Sequence, residues 1–325
     1  MKVVVTGGAG YIGSHAVYSL IEKGNQVVII DNLSRGYMEN VHPDATFYNA
    51  DIRDVETIKG IFKKEGKIDG IMHFAGYIVV PESVEKPLMY FNNNTYSVEK
   101  LLEAADDAGI KNVVFSSTAA VYGETSGAPI KESDTKTPVN PYGESKLAAE
   151  AIIRGWTKAR GTNHVIFRYF NVAGAHPSGK IGIRGKGLTH LLPSVIEGAL
   201  GIREKFVAMG TDYPTRDGSC IRDFIHVMDL VEAHIIGLEW SIKNKESNIF
   251  NLGSGSGHSV LEVLNTAIKE LEIAIPNEMG DRRAGDPAEL LADVSNARDV
   301  LGWKTKQPLD VMIRSEYDFR KKLKK

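Results

Sequence analysis

A chain of 325 residues that is 42% hydrophobic and 25% charged has an ordinary globular composition, which excludes a disordered or a membrane-embedded chain. Its 39 Lys and Arg against 41 Asp and Glu leave a formal charge of −2, so neither nucleic acid nor an anionic membrane is expected as a partner. Cys220 is the single cysteine, which forbids an internal disulfide and makes the cytoplasm the expected compartment; no metal site is expected. The chain opens Met1-Lys2-Val3-Val4-Val5 and turns at once into a glycine-rich stretch, so no signal peptide is expected. Nor does any apolar run approach the roughly 20 residues of a membrane span.

Short apolar runs at Val3–Thr6, Val27–Ile30, Thr46–Tyr48, Ile71–Phe74, Val113–Ser116 and His164–Phe170 alternate with amphipathic segments. That rhythm predicts βαβ units, hence an α/β chain with a Rossmann-type doubly wound parallel sheet. Between the first two runs Ile12, Ala16, Val17, Leu20 and Ile21 recur at helical spacing, and Lys23-Gly24 supplies a stop. After Asn171 the pattern changes, because Gly174–Gly187 is rich in Gly, Pro, Ser and Lys and has neither period. A first domain over residues 1–172 and a smaller C-terminal α/β domain over 173–325 are therefore expected. The apolar runs Ile221–Val227 and Asn248–Leu252, with a helical Asp229–Trp240 between them, predict a segment near 221–252 that returns to the first domain.

Thr6-Gly7-Gly8-Ala9-Gly10-Tyr11-Ile12-Gly13 follows the first strand and opens the first helix. Glycines at 7, 10 and 13 let the backbone approach a pyrophosphate, whose charge meets the unpaired N–H groups and positive end of the helix. A glycine-rich turn also serves any tight strand-to-helix connection. Asp31 lies 18 residues beyond Gly13, near the interval at which an acid accepts the ribose hydroxyls of a dinucleotide. A carboxylate there favours NAD over NADP, although Arg35, close by, would suit a 2′-phosphate.

Asn140-Pro141-Tyr142-Gly143-Glu144-Ser145-Lys146 reads as a capped helix start, with Tyr142 and Lys146 on one face. A phenol with a pKa near 10 is a poor base at neutral pH, but a neighbouring ammonium and an oxidised nicotinamide both favour the phenolate. Tyr142 then becomes a proton acceptor for a sugar hydroxyl. Ser116-Ser117-Thr118 ends an upstream strand, where open α/β sheets place ligands, and the Thr118 hydroxyl is a candidate partner of the same substrate oxygen. The run also suits a turn or a helix cap.

The TGGAGYIG turn, the acid at 31, FSSTAAVYG, PYGESK and RYFNVAGAHPSG together resemble the extended short-chain dehydrogenase/reductase family, nearest to its nucleotide-sugar 4-epimerases. The likeness continues through IRDFIHVMDL, RRAGDPAELLAD and Leu301-Gly302-Trp303. It implies interconversion of UDP-galactose and UDP-glucose through a 4-keto sugar, with NAD held as a prosthetic group and transiently reduced. Tyr142 is implied as the base, Lys146 as the holder of the nicotinamide ribose and Thr118 as the hydroxyl partner. The implied NAD-binding domain is the first one; its cofactor set is Gly7, Gly10, Tyr11, Ile12, Gly13, Asp31, Asn32, Asp51, Ile52, Phe74, Ala75, Gly76, Asn93, Ser116 and Tyr169 with Tyr142 and Lys146. The second domain is implied to bind the nucleotide sugar. Asn171 is the implied substrate amide contact, Arg222 and Arg283 clamp the diphosphate, and Asp286 accepts from the ribose.

Departures mark the limits of the likeness. Ile78 stands where some relatives carry a cofactor-contacting lysine, and His190, followed by Leu191, replaces an asparagine near the substrate phosphates. Val207 and Met209 are expected at the uracil pocket. Leu290 matches a gate for the hexose 2-substituent, filled by tyrosine in some relatives, so room for an N-acetyl group is expected; an ordinary core leucine is the other reading. Thr118-Ala119-Ala120 lacks the acid that dehydratases and decarboxylases of the family place beside the hydroxyl residue, which ranks those reactions below epimerisation. A UDP-glucuronate 4-epimerase, a simple NAD-dependent dehydrogenase and a non-catalytic NAD-binding relative remain as alternatives. A homodimer paired through two helices of the first domain, one bearing Tyr142, is expected by the resemblance.

Overall fold

A computed structural model describes residues 1–124, 129–185, 188–282 and 287–324. In chain order the first elements are β1 (Lys2–Thr6), α1 (Tyr11–Glu22), β2 (Gln26–Asp31), β3 (Thr46–Asn49), α2 (Val55–Glu65) and β4 (Gly70–His73). Next come α3 (Val80–Glu85), α4 (Pro87–Phe91), a π-helical stretch Asn92–Tyr96, α5 (Ser97–Asp107), β5 (Asn112–Thr118), α6 (Pro141–Arg160), β6 (Asn163–Tyr169) and β7 (Asn171–Ala173). The rest are α7 (Leu191–Ala199), β8 (Phe206–Met209), β9 (Ile221–His226), α8 (Val227–Asn244), β10 (Asn248–Leu252) and β11 (Gly257–Ser259). They are followed by α9 (Val260–Leu271), β12 (Asn277–Gly280), β13 (Glu289–Leu290), α10 (Ser295–Leu301) and α11 (Leu309–Leu323).

Two compact units divide the chain. The first comprises Met1–Glu124, Glu132–Tyr169 and Val231–Phe250. Its sheet, seven-stranded among the described residues, runs β10-β6-β5-β4-β1-β2-β3, and β1 pairs in parallel with both β2 and β4. The order reverses between β1 and β4, which makes their carboxyl ends the place where such sheets take ligands. This is the Rossmann-type doubly wound fold. Apolar runs such as Val3-Val4-Val5 are buried on both faces, as a parallel sheet requires. Val4, Ile30, Ile71 and Phe115 of the strands pack with Ile58 and Phe62 of α2 and Val98, Leu101 and Leu102 of α5. Local chemistry sets the helix ends: Asp54 caps α2 through Thr57 N, Asn140 caps α6 through Gly143 N with Pro141 next, and Gly161 ends α6 at φ 60°.

The second unit comprises 125–131, Phe170–Leu230 and Asn251–Lys325, of which 125–128, 186–187, 283–286 and 325 lie outside the described residues. β9 is its central strand, paired with β11 in antiparallel and with β13 and β7 in parallel, while β8 and β12 form a separate parallel pair. Leu192, Val195 and Ile196 of α7, Val263 and Leu264 of α9, and Met312 and Ile313 of α11 form its core. Ser259 and Glu262 start α9 with a reciprocal capping box.

The expected boundaries shift in three places. The first unit ends at Tyr169 instead of 172, because β7 is a strand of β9's sheet. The residues around Ile130 belong to the second unit, where the Ile130 backbone bonds to Leu291 and Asp293 and accepts from Asn251 Nδ2. The returning segment is Val231–Phe250, shorter than 221–252: the apolar run from Ile221 forms β9, which ends at His226, and its partners are β7, β11 and β13. Between Gly174 and Gly187 the described residues, through 185, hold no helix or strand. Among the described residues no helix is long and apolar enough to cross a membrane.

Candidate active site

The turn after β1 is built so that only glycine fits. Gly7 has φ +73°, and a Cβ there would lie 2.6 Å from Ala75 N; one at Gly13 would lie 2.1 Å from Gly7 O. Gly10 caps α1 with no side-chain bond, and no acid occupies the first turn, so the opening N–H groups of α1 face the turn without an internal anion. This backbone concavity is a cradle that side chains would fill, which fits a pyrophosphate. Tyr11 and Ile12 open the helix, both half-buried. Asp31, at the end of β2, accepts from Ala9 N at 3.0 Å and from Leu33 N at 2.8 Å. Burial raises its pKa, and those two N–H donors pull against it.

Asn32 donates to Asp51 at 3.0 Å, and Asp51 also receives Arg53 through Nη2 at 2.6 Å and Nε at 2.9 Å. The Arg53 hydrogen bonds hold the Asp51 carboxyl down at about 2. Ile52 is buried in the core of the first unit. Phe74-Ala75-Gly76 leave the end of β4; Phe74 N donates to Thr6 O at 3.0 Å, which ties this loop to β1 across the point where the strand order reverses.

Lys146 is almost wholly buried; its Nζ donates to Ser116 O at 2.9 Å and lies 4.9 Å from the Phe115 ring centre. A Cβ on Gly76 would come within 3.2 Å of that Nζ, so the chain's glycine lets the ammonium reach the loop. Burial pulls the Lys146 pKa down to about 8, with Glu150 opposing. Tyr142, one helical turn earlier, has its pKa raised by burial, while its hydrogen bond with Thr118 works the other way. The Lys146 ammonium is thus directed to the end of β5, on the same face of α6 as Tyr142. Thr118 also accepts from Ala120 N at 3.1 Å, so its hydroxyl is held by backbone on one side and by the phenol on the other. Ser116 Oγ and the Tyr169 hydroxyl are hydrogen-bonded, which brings those two predicted residues together at the strand ends.

Several residues that organise this region were not singled out in the sequence. Asn94 Oδ1 accepts from Tyr77 N at 2.8 Å and from Asn93 Nδ2 at 3.1 Å, while its Nδ2 donates to Tyr77 O at 3.0 Å and Ser145 Oγ at 3.1 Å. It fastens the Gly76–Tyr77 loop to α6. The π-helical stretch carrying it, a form enriched at functional sites, was signalled only by the run Asn92-Asn93-Asn94. Beneath Lys146, Glu150 takes Arg168 at 2.6 and 3.0 Å and Ser117 Oγ at 2.5 Å, anchoring α6 to β5 and β6.

In the second unit, Arg222 and Leu290 are register partners across β9 and β13, and Arg222 Nη1 donates to Pro287 O at 2.9 Å. Leu290 is half-buried on a two-residue strand, which is not the environment of a core leucine. Val207 and Met209 both lie beside Gly280, where a Cβ would sit 2.9 Å from Val207 Cγ1 and 3.3 Å from Met209 Sδ. Asn171 opens β7, in register with Phe224. His190 precedes Leu191 at the start of α7, its pKa lowered by burial and by the Arg320 charge. Arg283 and Asp286 lie outside the described residues. Asp223, unforeseen, is fully buried and accepts from Ser254 N and Oγ, Gly255 N and Ala292 N. No group of three or more His, Cys, Asp or Glu among the described residues is placed to hold a metal ion.

A glycine cradle, a buried acid at the end of β2 and a Tyr-x-x-x-Lys helix on a doubly wound sheet define the class, a nucleotide-dependent enzyme. The chain belongs to the NAD dependent epimerase/dehydratase family, whose model matches residues 3–253. It is 49% identical over 320 residues to the UDP-glucose 4-epimerase of Lacticaseibacillus casei, covering 98% of this chain and 96% of that one. The UDP-glucose 4-epimerase of Stenotrophomonas maltophila, solved with bound NAD and formylated UDP-arabinopyranose, superposes with a TM-score of 0.97 at 37% identity, covering 100% of this chain and 99% of that one. The UDP-Glc/GlcNAc 4-epimerase of Campylobacter jejuni gives a TM-score of 0.87 at 39% identity, covering 99% of each chain.

Proposed function

We propose that this chain is an NAD-dependent UDP-glucose 4-epimerase that interconverts UDP-galactose and UDP-glucose, with the first unit holding NAD and the second the nucleotide sugar. The observation that carries the reading is the hydrogen bond between Tyr142 and Thr118 at the carboxyl end of β5, with buried Lys146 reaching the Gly76 loop. Relatives of 46–49% identity over 94–99% of this chain bear that activity in their names.

Bound NAD supplies the hydride acceptor and donor at the sugar's fourth carbon and, when oxidised, a positive ring. Tyr142 Oη takes the proton of the 4-hydroxyl and returns it after the keto sugar has presented its other face. Thr118 Oγ steadies the same oxygen and favours the phenolate by donating to it. Burial raises the phenol's pKa in the unliganded protein, and the Lys146 ammonium and an oxidised nicotinamide would both favour the phenolate. Lys146 orients the nicotinamide ribose. Gly7, Gly10 and Gly13 receive the pyrophosphate, and Asp31 the adenosine ribose. Alanines at 119 and 120 offer no acid to expel a hydroxyl, so the keto sugar is reduced again instead of dehydrated.

Purified protein, without added cofactor, should convert UDP-galactose to UDP-glucose. Tyr142→Phe should cost about 10²–10⁴ in turnover with NAD still bound. Retained turnover in that variant would defeat the assignment of the base. A second substrate class follows from Leu290, whose half-buried place beside Arg222 leaves a smaller side chain than tyrosine at the sugar gate. UDP-N-acetylglucosamine should also be epimerised, and Leu290→Tyr should abolish that activity while sparing UDP-glucose; equal loss on both sugars would remove the gate. A cytosolic homodimer formed through α5 and α6 completes the reading, in keeping with a lone cysteine.

A further inference from the structure

Arg35 stands on the loop after β2, just beyond Asp31, and an arginine in this part of a dinucleotide site is what accommodates a 2′-phosphate. In this chain its guanidinium is engaged elsewhere. Arg35 Nη2 donates to both oxygens of Glu82, at 2.8 and 3.0 Å, and the guanidinium carbon lies 5.2 Å from the centre of the Tyr77 ring. Glu82 belongs to α3, 47 residues further along, so the pairing is tertiary. The Tyr90 hydroxyl in turn holds Glu82: it lies 3.0 Å from Oε2 and 2.7 Å from Val79 O, and accepts from Val79 N at 2.9 Å. Tyr90 itself is fully buried, which fixes the far end of the chain Tyr90–Glu82–Arg35 to the interior of the first unit.

On the other side of the same loop, Asp31 is held as an acceptor by Ala9 N and Leu33 N. A Cβ on Gly36 would lie 2.9 Å from Asp31 Oδ1, so the loop closes tightly over the carboxylate. Two groups on the loop after β2 would thus disfavour a 2′-phosphate there: an anion that repels it and a cation engaged by Glu82. We propose that Glu82 is a specificity-determining residue for the coenzyme, which selects NAD over NADP by tying Arg35 to α3 and so denying a 2′-phosphate its counter-charge. The proposal rests on the NAD reading above. Removing Glu82 leaves Tyr90 its Val79 partners, and the freed guanidinium gains a charge-assisted partner only when a phosphate is present. The Arg35 side chain is 58% exposed, so loss of the ion pair costs little stability.

The test is native mass spectrometry of the protein as purified from one expression host, reading the ratio of NADP to NAD that it retains. Glu82→Ala should raise the NADP-to-NAD ratio by about tenfold over wild type, and Glu82→Gln should move it the same way by less. The double variant Glu82→Ala/Arg35→Ala should return toward wild type. An unchanged ratio in both Glu82 variants overturns the proposal, as does an increase that persists in the double variant. Wild-type protein that takes up neither nucleotide would overturn the NAD reading and this proposal with it.

Discussion

Each unit buries an arginine among carboxylates, and the two sites balance their charge in different ways. In the first, Arg168 and Glu150 are a matched pair: two short bonds join them, Tyr122 OH accepts from Arg168 Nη1 at 3.1 Å, and Ser117 Oγ donates to Glu150. In the second, Arg320 serves two acids, Glu316 through Nε at 2.5 Å and Glu197 through Nη1 at 3.0 Å, while half-exposed Arg203 reaches Glu197 at 3.1 Å. Glu316 Oε2 has no hydrogen-bond partner among the described residues. Burial, with Glu197 adding to it and Arg320 opposing, pushes the Glu316 carboxyl up to about 7. One cation against one anion makes an anchor, whereas a surplus buried anion is met by a proton.

The comparison breaks most visibly at Glu150. Glu150→Ala strands the Arg168 guanidinium beneath α6, and urea unfolding should show a loss of about 3–5 kcal/mol. A loss below about 1 kcal/mol would mean the pair is not an anchor. Glu316 should behave differently, through pH. Below the ordinary carboxyl value of 4.5, folded and unfolded chains both hold the proton; between 4.5 and about 7 only the folded chain does, so wild-type stability falls as pH rises through that window. Glu316→Gln should remove this slope. The stability gap between variant and wild type should therefore change by on the order of 3 kcal/mol from pH 4 to pH 8, in the variant's favour. A pH-independent gap would contradict the protonated-acid account. Arg314→Ala calibrates both: its bond to Glu270 joins α11 to α9 at 2.8 Å on the surface, and its loss should cost about 0–1 kcal/mol by the same unfolding measurement.

The two units also differ in how much of them could be read from residues alone. In the first, the informative signals are local: Gly7 to Gly13 lie within one turn, Asp31 is one βαβ unit away, and Tyr142 and Lys146 share a helix face. Parallel strands buried on both faces announce themselves as continuous apolar runs. What escaped notice is non-local. Asn94 meets Ser145 across 51 residues, and Asp223 gathers donors 31 and 69 residues away. No spacing rule marks such partners. β9 shows the same limit from the other side: its apolar pattern declares a strand, but nothing in the pattern says which sheet it joins. Lys146 adds a third case, since a one-turn spacing to Tyr142 does not reveal that Ser116 O accepts from its ammonium.

The widened turn at Asn92–Tyr96 has a consequence for how this chain tolerates change in length. It joins α4 to α5 as one unbroken run, with an extra residue accommodated in the coil. Deleting one of the three asparagines would let the run tighten into a regular helix and swing everything on one side of the cut by about 100° relative to the other. Either Leu101 and Leu102 would leave their core seats or the amide at 94 would let go of the loop after β4. Insertions and deletions are thus shut out of a surface helix by phase, in a stretch where single substitutions of exposed side chains meet no such barrier.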